Sequence, residues 1–90
     1  MSIATFVKDP NAVLDYMIDW SPWLGADTIA TSTWIVPTGI TKDSDSHTTT
    51  TVTVWLSSGT AGTKYALTNR VVTAGGRTDD RTITMNVKER

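Results

Sequence analysis

The side chains able to do acid–base chemistry are few in this chain. Asp15 and Asp19 lie four residues apart in LDYMID, within a segment whose alternation is that of a strand. Paired carboxylates catalyse glycoside hydrolysis, but a spacing of four on one strand separates the two Cα atoms by about 13 Å, a poor start for such a pair. We therefore interpret Asp15 and Asp19 as solvent-facing residues.

A second group of side chains that could bind a metal or transfer a proton occupies every second position in KDSDSH. Asp43, Asp45 and His47 could point to one side and contact a cation, yet the segment lacks the glycine and the distal glutamate of an EF-hand loop. His47 is the only histidine, so a serine triad would need it, and no G-x-S-x-G motif accompanies it. We predict a solvated segment here, with no catalytic residue, no cofactor and no bound metal in the chain.

Composition and charge narrow the class further. The 90 residues fit one domain, predicted over 1–90, whose core is small. Lys and Arg number 8 and Asp and Glu number 9, so nothing favours nucleic acid or an anionic membrane as a partner. Cysteine is absent, which excludes disulfide scaffolds and thiolate zinc sites. We see no signal-peptide pattern and no membrane-spanning run, and we expect a protein made in the cytoplasm.

The elements that position these side chains are predicted to be strands. Apolar and polar residues alternate, or β-branched residues dominate, over 14–20, 28–36, 48–57, 64–73 and 81–88. The polar stretch TKDSDSH is interpreted as a loop or a short edge strand. Short strands, Gly-rich turns and no helical period predict an all-β, immunoglobulin-like, Greek-key sandwich of about seven strands, with a short extended N-terminal arm over about residues 1–10.

Three aromatic residues are predicted to belong to the structural core. Tyr65 follows a Gly-containing turn in GTKYAL, which resembles the tyrosine corner of immunoglobulin-like sandwiches. Trp34 falls where such folds bury an indole, and Trp20 continues the inward face of its strand. Asn69 shares the inward face of Tyr65, so it is either a buried amide with satisfied hydrogen bonds or part of a bulge that turns it outward.

Two further indoles are candidates for a contact surface. Trp55 lies opposite the inward positions of its strand, so it is either an exposed interface anchor or a residue covered by a loop or by the arm over residues 1–8. Trp23 follows Pro22 in a turn and is open to the same two interpretations.

Four motifs cover nearly the whole chain: K-D-P-x-A-V-L-D-Y, D-W-x-x-W-L-G-x-D-T-I, W-L-S-x-G-T-A-G-T-x-Y and T-N-R-x-x-T-x-x-G-R-T-D-x-R. In these motifs the sequence resembles a family of small Ig-like virion proteins of tailed phages and prophages, the fibre-tail adaptor-like proteins. The resemblance implies a non-enzymatic structural protein of the virion, in the tail or neck region. It implies several copies that join tail or neck components to fibres through protein–protein contacts. The matched signature positions are Lys8, Asp9, Pro10, Asp15, Tyr16, Trp20, Trp23, Leu24, Gly25, Arg70, Gly76, Arg77, Asp79 and Arg81.

Several functional alternatives stay open at this point. The protein-binding candidates are Trp23, Leu24, Trp55, Arg77, Asp79 and Arg81. The last three alternate near a hairpin, as a surface ion-pair ladder or as intersubunit salt bridges, and the arm could add a strand to a neighbour or help form a homo-oligomer. A head or tail decoration or adhesive module could instead bind host-surface glycan through Trp23 and Trp55. A hydrolase using His47 or a carboxylate pair would require a concave pocket.

Overall fold

Two β-sheets face each other in the computed structural model, which describes residues 2–89. In chain order the strands are β1 (Ser2–Lys8), β2 (Leu14–Asp19), β3 (Ile29–Ile35), β4 (Ile40–His47), β5 (Thr51–Ser58), β6 (Thr63–Thr73) and β7 (Thr78–Val87). The first sheet has the order β1-β7-β6-β3 and the second the order β2-β5-β4. The chain passes between the sheets after β1, β2, β3 and β5. This arrangement confirms the predicted all-β, immunoglobulin-like sandwich.

The core lies between the inward faces of the two sheets, and it follows the period-2 alternation closely in β5, β6 and β7. Every second residue is buried over 52–56, 65–73 and 83–87, because successive side chains of a strand point to opposite faces. The buried apolar residues are Ile18, Trp20, Leu24, Ile29, Trp34, Ile40, Val52, Val54, Leu56, Tyr65, Leu67, Val71, Ile83, Met85 and Val87. Leu14, which the alternation places on the inward face, is 42% exposed, because it begins an edge strand of its sheet.

The predicted extended arm corresponds to a strand of the first sheet. Residues 2–8 form β1, which pairs in parallel with β7 from Ser2 opposite Thr82 to Lys8 opposite Val87. Met1 and Arg90, which the predicted domain and arm include, lie outside the described residues. This arm is therefore bound within its own chain, because β1 pairs with the edge of β7 that β6 leaves free.

A single helical turn follows β2. The helix α1 (Ser21–Leu24) has Pro22 in its first turn, where proline is favoured, and the Asp19 carboxylate accepts a hydrogen bond of 2.9 Å from the Ser21 N–H. Gly25 ends the helix with a φ of 62°. Over residues 2–89, no helix is long and apolar enough to cross a membrane.

Tyr65 closes the connection between β5 and β6. The Tyr65 side chain is buried, and its hydroxyl oxygen accepts a hydrogen bond of 3.0 Å from the Thr60 N–H. The ring lies against Gly39, where an added Cβ would come within 3.0 Å of the Tyr65 Cε1 atom. Gly39 has a φ of 107°, so both the space and the backbone conformation require glycine. The geometry is that of a tyrosine corner.

Removing the Tyr65 hydroxyl is expected to destabilise the fold. In Tyr65→Phe the Thr60 N–H loses its partner, so we expect the free energy of unfolding to fall by about 1–2 kcal/mol, measured by urea denaturation. Trp55→Phe, on an exposed face, is the control and should change stability by less than about 0.5 kcal/mol. A Tyr65→Phe protein as stable as the wild type would contradict the role of this hydrogen bond.

Candidate functional site

Two segments that are far apart in sequence meet at one end of the sandwich. Trp20 and Trp23, on either side of the start of α1, lie with ring centroids 5.3 Å apart at an interplanar angle of 66°. The guanidinium of Arg77 lies 4.2 Å from the centroid of the Trp23 ring, and that of Arg81 lies 4.1 Å from the centroid of the Trp20 ring. We call these four residues the Trp–Arg cluster, which joins α1 to the β6–β7 hairpin.

Arg77 completes the hydrogen bonding of α1. Its Nη2 donates to the Leu24 carbonyl at 2.8 Å, its Nη1 reaches the Trp23 carbonyl at 3.4 Å, and its Nε donates to Oδ2 of Asp27 at 3.1 Å. The last carbonyls of a helix have no partner within the helix, and the planar guanidinium can satisfy several acceptors at once. Arg77 therefore binds the end of the helix to the hairpin while its ring-facing surface stacks on Trp23.

Asp27 carries the negative charge of this arrangement. The Thr73 hydroxyl, the N–H groups of Thr28 and Gly75 and the Arg77 guanidinium surround its carboxylate and lower the pKa of Asp27 to about 2. The Gly75 N–H donates to Oδ1 at 3.0 Å, and a Cβ at Gly75 would come within 2.9 Å of Oδ2. The carboxylate is therefore ionised at neutral pH, and the hairpin needs glycine where it passes closest to it.

Beneath the Trp–Arg cluster, Asn69 connects both sheets. The Trp20 Nε1 donates to Oδ1 of Asn69 at 3.1 Å, and the Asn69 Nδ2 donates to the Ser32 hydroxyl at 2.9 Å and to the Thr33 carbonyl at 3.3 Å. Trp20 and Asn69 are both fully buried. Of the two interpretations of Asn69, the structure shows the buried and hydrogen-bonded amide, in a strand with continuous register to β7.

The structure separates the predicted protein-binding residues. Leu24 is 3% exposed and belongs to the core, so the prediction that its side chain contacts a partner is wrong: the single turn of α1 points it inward. Trp23 is half-buried, and Arg77 occupies a face of its ring. A glycan platform at Trp23 would have to displace this guanidinium.

The predicted ladder of Arg77, Asp79 and Arg81 does not form within residues 2–89. Arg77 pairs with Asp27 instead, and Arg81 stacks on Trp20 with its Nη1 3.5 Å from the Asp19 carbonyl. Asp79 accepts a hydrogen bond from the N–H of the next residue. It lines an open depression with Arg70, Thr78 and Asp80. Intersubunit contacts by these residues stay a prediction.

Trp55 lies away from the Trp–Arg cluster. It is 41% exposed on the outer face of the second sheet, opposite Asp15 on β2 and Ser44 on β4. The strand β1, one of the elements considered as its cover, is hydrogen-bonded in the other sheet. Trp55 therefore offers indole surface to solvent.

The acidic segment on β4 does not gather its side chains. The register shifts between Lys42 and Ser44, which breaks the alternation predicted for D-S-D-S-H. Asp45 pairs with Lys42 at 2.6 Å, and Asp43 accepts a hydrogen bond of 2.9 Å from the Ser57 hydroxyl. In the part of the chain that the structure describes, no three His, Cys, Asp or Glu side chains are grouped as metal ligands.

Lys8 is a buried, hydrogen-bonded residue that the alternation of apolar and polar residues does not indicate. Its Nζ donates to the Ser58 carbonyl at 2.6 Å and to the Asp9 carbonyl at 2.9 Å, and burial lowers the pKa of Lys8. Ser58, whose carbonyl accepts this bond, has a positive φ of 65°. The only sequence signal was the K-D-P motif of the resemblance, since a lysine at the end of a strand is ordinarily solvent-exposed.

Comparison with known proteins identifies the family. Residues 8–86 match the family model described as podophage GP4 fiber-tail adaptor protein gp77. The match begins at the buried Lys8 and includes the whole Trp–Arg cluster, and the chain belongs to this family. No curated protein matches the chain.

Asn69 is expected to contribute most of its stabilisation through the hydrogen bonds it makes. Asn69→Leu keeps a similar volume but leaves the buried Trp20 Nε1 without an acceptor, so we expect the free energy of unfolding to fall by about 2–3 kcal/mol in chemical denaturation. Ser32→Ala, which removes one bond at the edge of the same group, should cost about 1 kcal/mol. Equal effects of the two substitutions would contradict the central role of Asn69.

Asp27 is expected to make stability depend on acid pH. Its pKa is lowered from 3.8 to about 2 in the folded protein, so the unfolded chain binds the proton more readily. The stabilisation is present above pH 3.8 and is lost as pH falls toward 2. We expect Asp27→Asn to lower Tm at pH 7, with a difference from wild type that shrinks steadily between pH 4 and pH 2 in thermal melts. A difference that is constant over this range would exclude the carboxylate as its source.

Proposed function

We propose that the protein is a non-enzymatic structural protein of the phage virion that joins tail or neck components to fibres through protein–protein contacts. The observation that carries the proposal is family membership over residues 8–86. The family is described as fibre-tail adaptors, and two of the four sequence motifs contribute the residues of the Trp–Arg cluster.

The Trp–Arg cluster has the properties of a docking surface. Tryptophan and arginine are the residue types most enriched among energetically dominant interface positions. The Arg77 side chain is still 43% exposed although three of its nitrogens are engaged. Because the guanidinium is already held in place, the Arg77 side chain would lose little further conformational entropy when a partner binds.

The assembly context follows from the same proposal. The protein is made in the bacterial host cytoplasm and is incorporated in several copies in the tail or neck of the virion. Trp23, Trp55, Arg77, Asp79 and Arg81 are the proposed contact residues for tail, neck or fibre proteins. Light scattering of the purified protein, beside Trp23→Ala and Trp55→Ala, would show whether these indoles also join identical subunits.

An adaptor is tested by a complex that forms only when all three components are present. The purified chain is mixed with the tail protein and the fibre protein encoded by the same phage genome, and complexes are resolved by size-exclusion chromatography with light scattering. We expect the fibre protein to elute with the tail protein only when this chain is added. A fibre–tail complex that forms without the chain, or a chain that binds neither protein, would contradict the proposal.

Matched substitutions locate the contact. Asp79→Lys reverses one charge beside the Trp–Arg cluster without removing a bond of α1, and should weaken complex formation by at least about tenfold. Lys64→Ala, on an exposed position of β6 away from the cluster, is the control and should leave the complex unchanged. Arg77→Ala is informative if its thermal melt shows a folded protein.

A further inference from the structure

The second sheet has an unoccupied position beside β2. In immunoglobulin constant-type sandwiches the first strand pairs with the second strand, which gives one sheet four strands. Here β1 pairs with β7 in the other sheet, and among the strands of residues 2–89 β2 pairs with β5 alone. One edge of β2 is therefore open at the place where this architecture ordinarily adds a strand.

Exposed apolar side chains gather at this open edge. Among residues 5–89, six large apolar residues are exposed, and four of them lie on β2, just before it or directly across from it. Their exposed fractions are 54% for Val13, 42% for Leu14, 57% for Met17 and 41% for Trp55. Met17 and Trp55 lie on the outer face of the sheet and Leu14 on the inner face, so apolar surface is exposed on both sides of this edge.

The β2 edge is less protected than the other edge of its sheet. The pairing of β2 with β5 runs in continuous register from Leu14 to Asp19, and the strand contains no lysine, proline or bulge. By contrast, the edge strand β4 has a register shift after Lys42 and is polar along nearly its whole length. Of the two edges of this sheet, β2 is the one that resembles an acceptor for another strand.

Charge at the edge determines what kind of strand fits. β2 and β5 together contain no lysine or arginine, and Asp15 and Asp19 lie on the outer face of β2. The Asp19 carboxylate accepts the Ser21 N–H and Arg81 lies beside this residue, so Asp15 carries the available negative charge. A second copy of β2 paired antiparallel about Met17 would place each Asp15 opposite an Asp19, and like charges directly opposite destabilise a sheet. A strand with basic residues on the outer face and apolar residues on the inner face is complementary, since Leu14 lies on the inner face of the edge.

We propose that the β2 edge accepts an extended strand of another protein, in which Lys or Arg alternates with apolar residues. The main-chain groups of β2 supply the hydrogen bonds, the carboxylate of Asp15 faces the basic side chains, and Leu14 packs against the apolar ones. On the outer face, Met17 packs against the aliphatic part of the partner's Lys or Arg side chains. The inference rests on the proposed function, because it names how the adaptor holds one of its partners.

Two peptides of opposite charge test the edge without any virion protein. We would titrate the isotope-labelled full chain with an eight-residue alternating valine–lysine peptide and with its valine–glutamate counterpart, and follow backbone amide resonances by NMR. We expect saturable shifts confined to residues 13–19 and their β5 partners with the lysine peptide, and binding at least about tenfold weaker with the glutamate peptide. Shifts centred on β4, equal binding of both peptides, or no shift in β2 would each overturn the proposal.

Substitutions at exposed positions distinguish binding at the β2 edge from non-specific electrostatic attraction of the peptide. Asp15→Asn should lower the affinity for the lysine peptide by about threefold or more. Met17→Lys, which adds a protecting charge to the edge, should abolish binding of that peptide. Asp45→Asn on β4 removes the same charge from the other edge and should have no effect. Thermal melts establish that each variant is folded, and an Asp45→Asn effect equal to that of Asp15→Asn would overturn the proposal.

The two proposals fail in different ways. A chain that bridges tail and fibre proteins but binds no peptide is an adaptor that uses another surface. A chain that binds the lysine peptide at β2 but bridges nothing has a functional strand-accepting edge without the adaptor role.

Discussion

Burying the Trp20 indole requires an acceptor for its Nε1, and Asn69 supplies that acceptor from the opposite sheet. The hydrogen bond joins the end of β2 to β6, and the Asn69 amide extends it to Ser32 on β3. With Trp20 held in this way, Trp23 packs against its ring and Arg81 covers it. Arg77 then has both an aromatic surface and the end of α1 to bind. The Trp–Arg cluster thus depends on one satisfied buried amide.

Buried polar groups close the sandwich at both ends. Trp20 and Asn69 lie beyond Asp19, which pairs with Thr51, while Lys8 binds the Ser58 carbonyl near the other end of β5. Each of these groups would be costly if left unpaired, so each restricts the packing of the sheets to the arrangement that satisfies it. This protein has 90 residues and no cysteine. Its buried hydrogen bonds therefore help to select one packing of the two sheets, as a larger core or a disulfide does in other proteins.

An adaptor must bind partners on more than one surface, and the fold offers two of different character. The Trp–Arg cluster is preorganised and charged, and suits recognition by side chains. The β2 edge is apolar with acidic neighbours, and suits recognition by main-chain hydrogen bonds. The two surfaces are adjacent, because the β2 edge is followed directly by α1. The Asp19 carboxylate at the end of β2 accepts a hydrogen bond from the Ser21 N–H at the start of α1. Rigid connection of the two surfaces would let an adaptor fix the orientation of its partners.

The sequence by itself determined the strands and their inward faces wherever the signal was local. The alternation of β5, β6 and β7 predicts which side chains are buried, because neighbouring residues of a strand must point to opposite faces. The turn before Tyr65 likewise predicted a tyrosine corner. Only the tertiary structure decided that β1 joins β7, that Leu24 points inward, that Asn69 meets Trp20 and that Arg77 pairs with Asp27 rather than Asp79. These outcomes depend on contacts between residues distant in the chain, whose energies arise from packing and hydrogen-bond satisfaction and leave no period in the sequence.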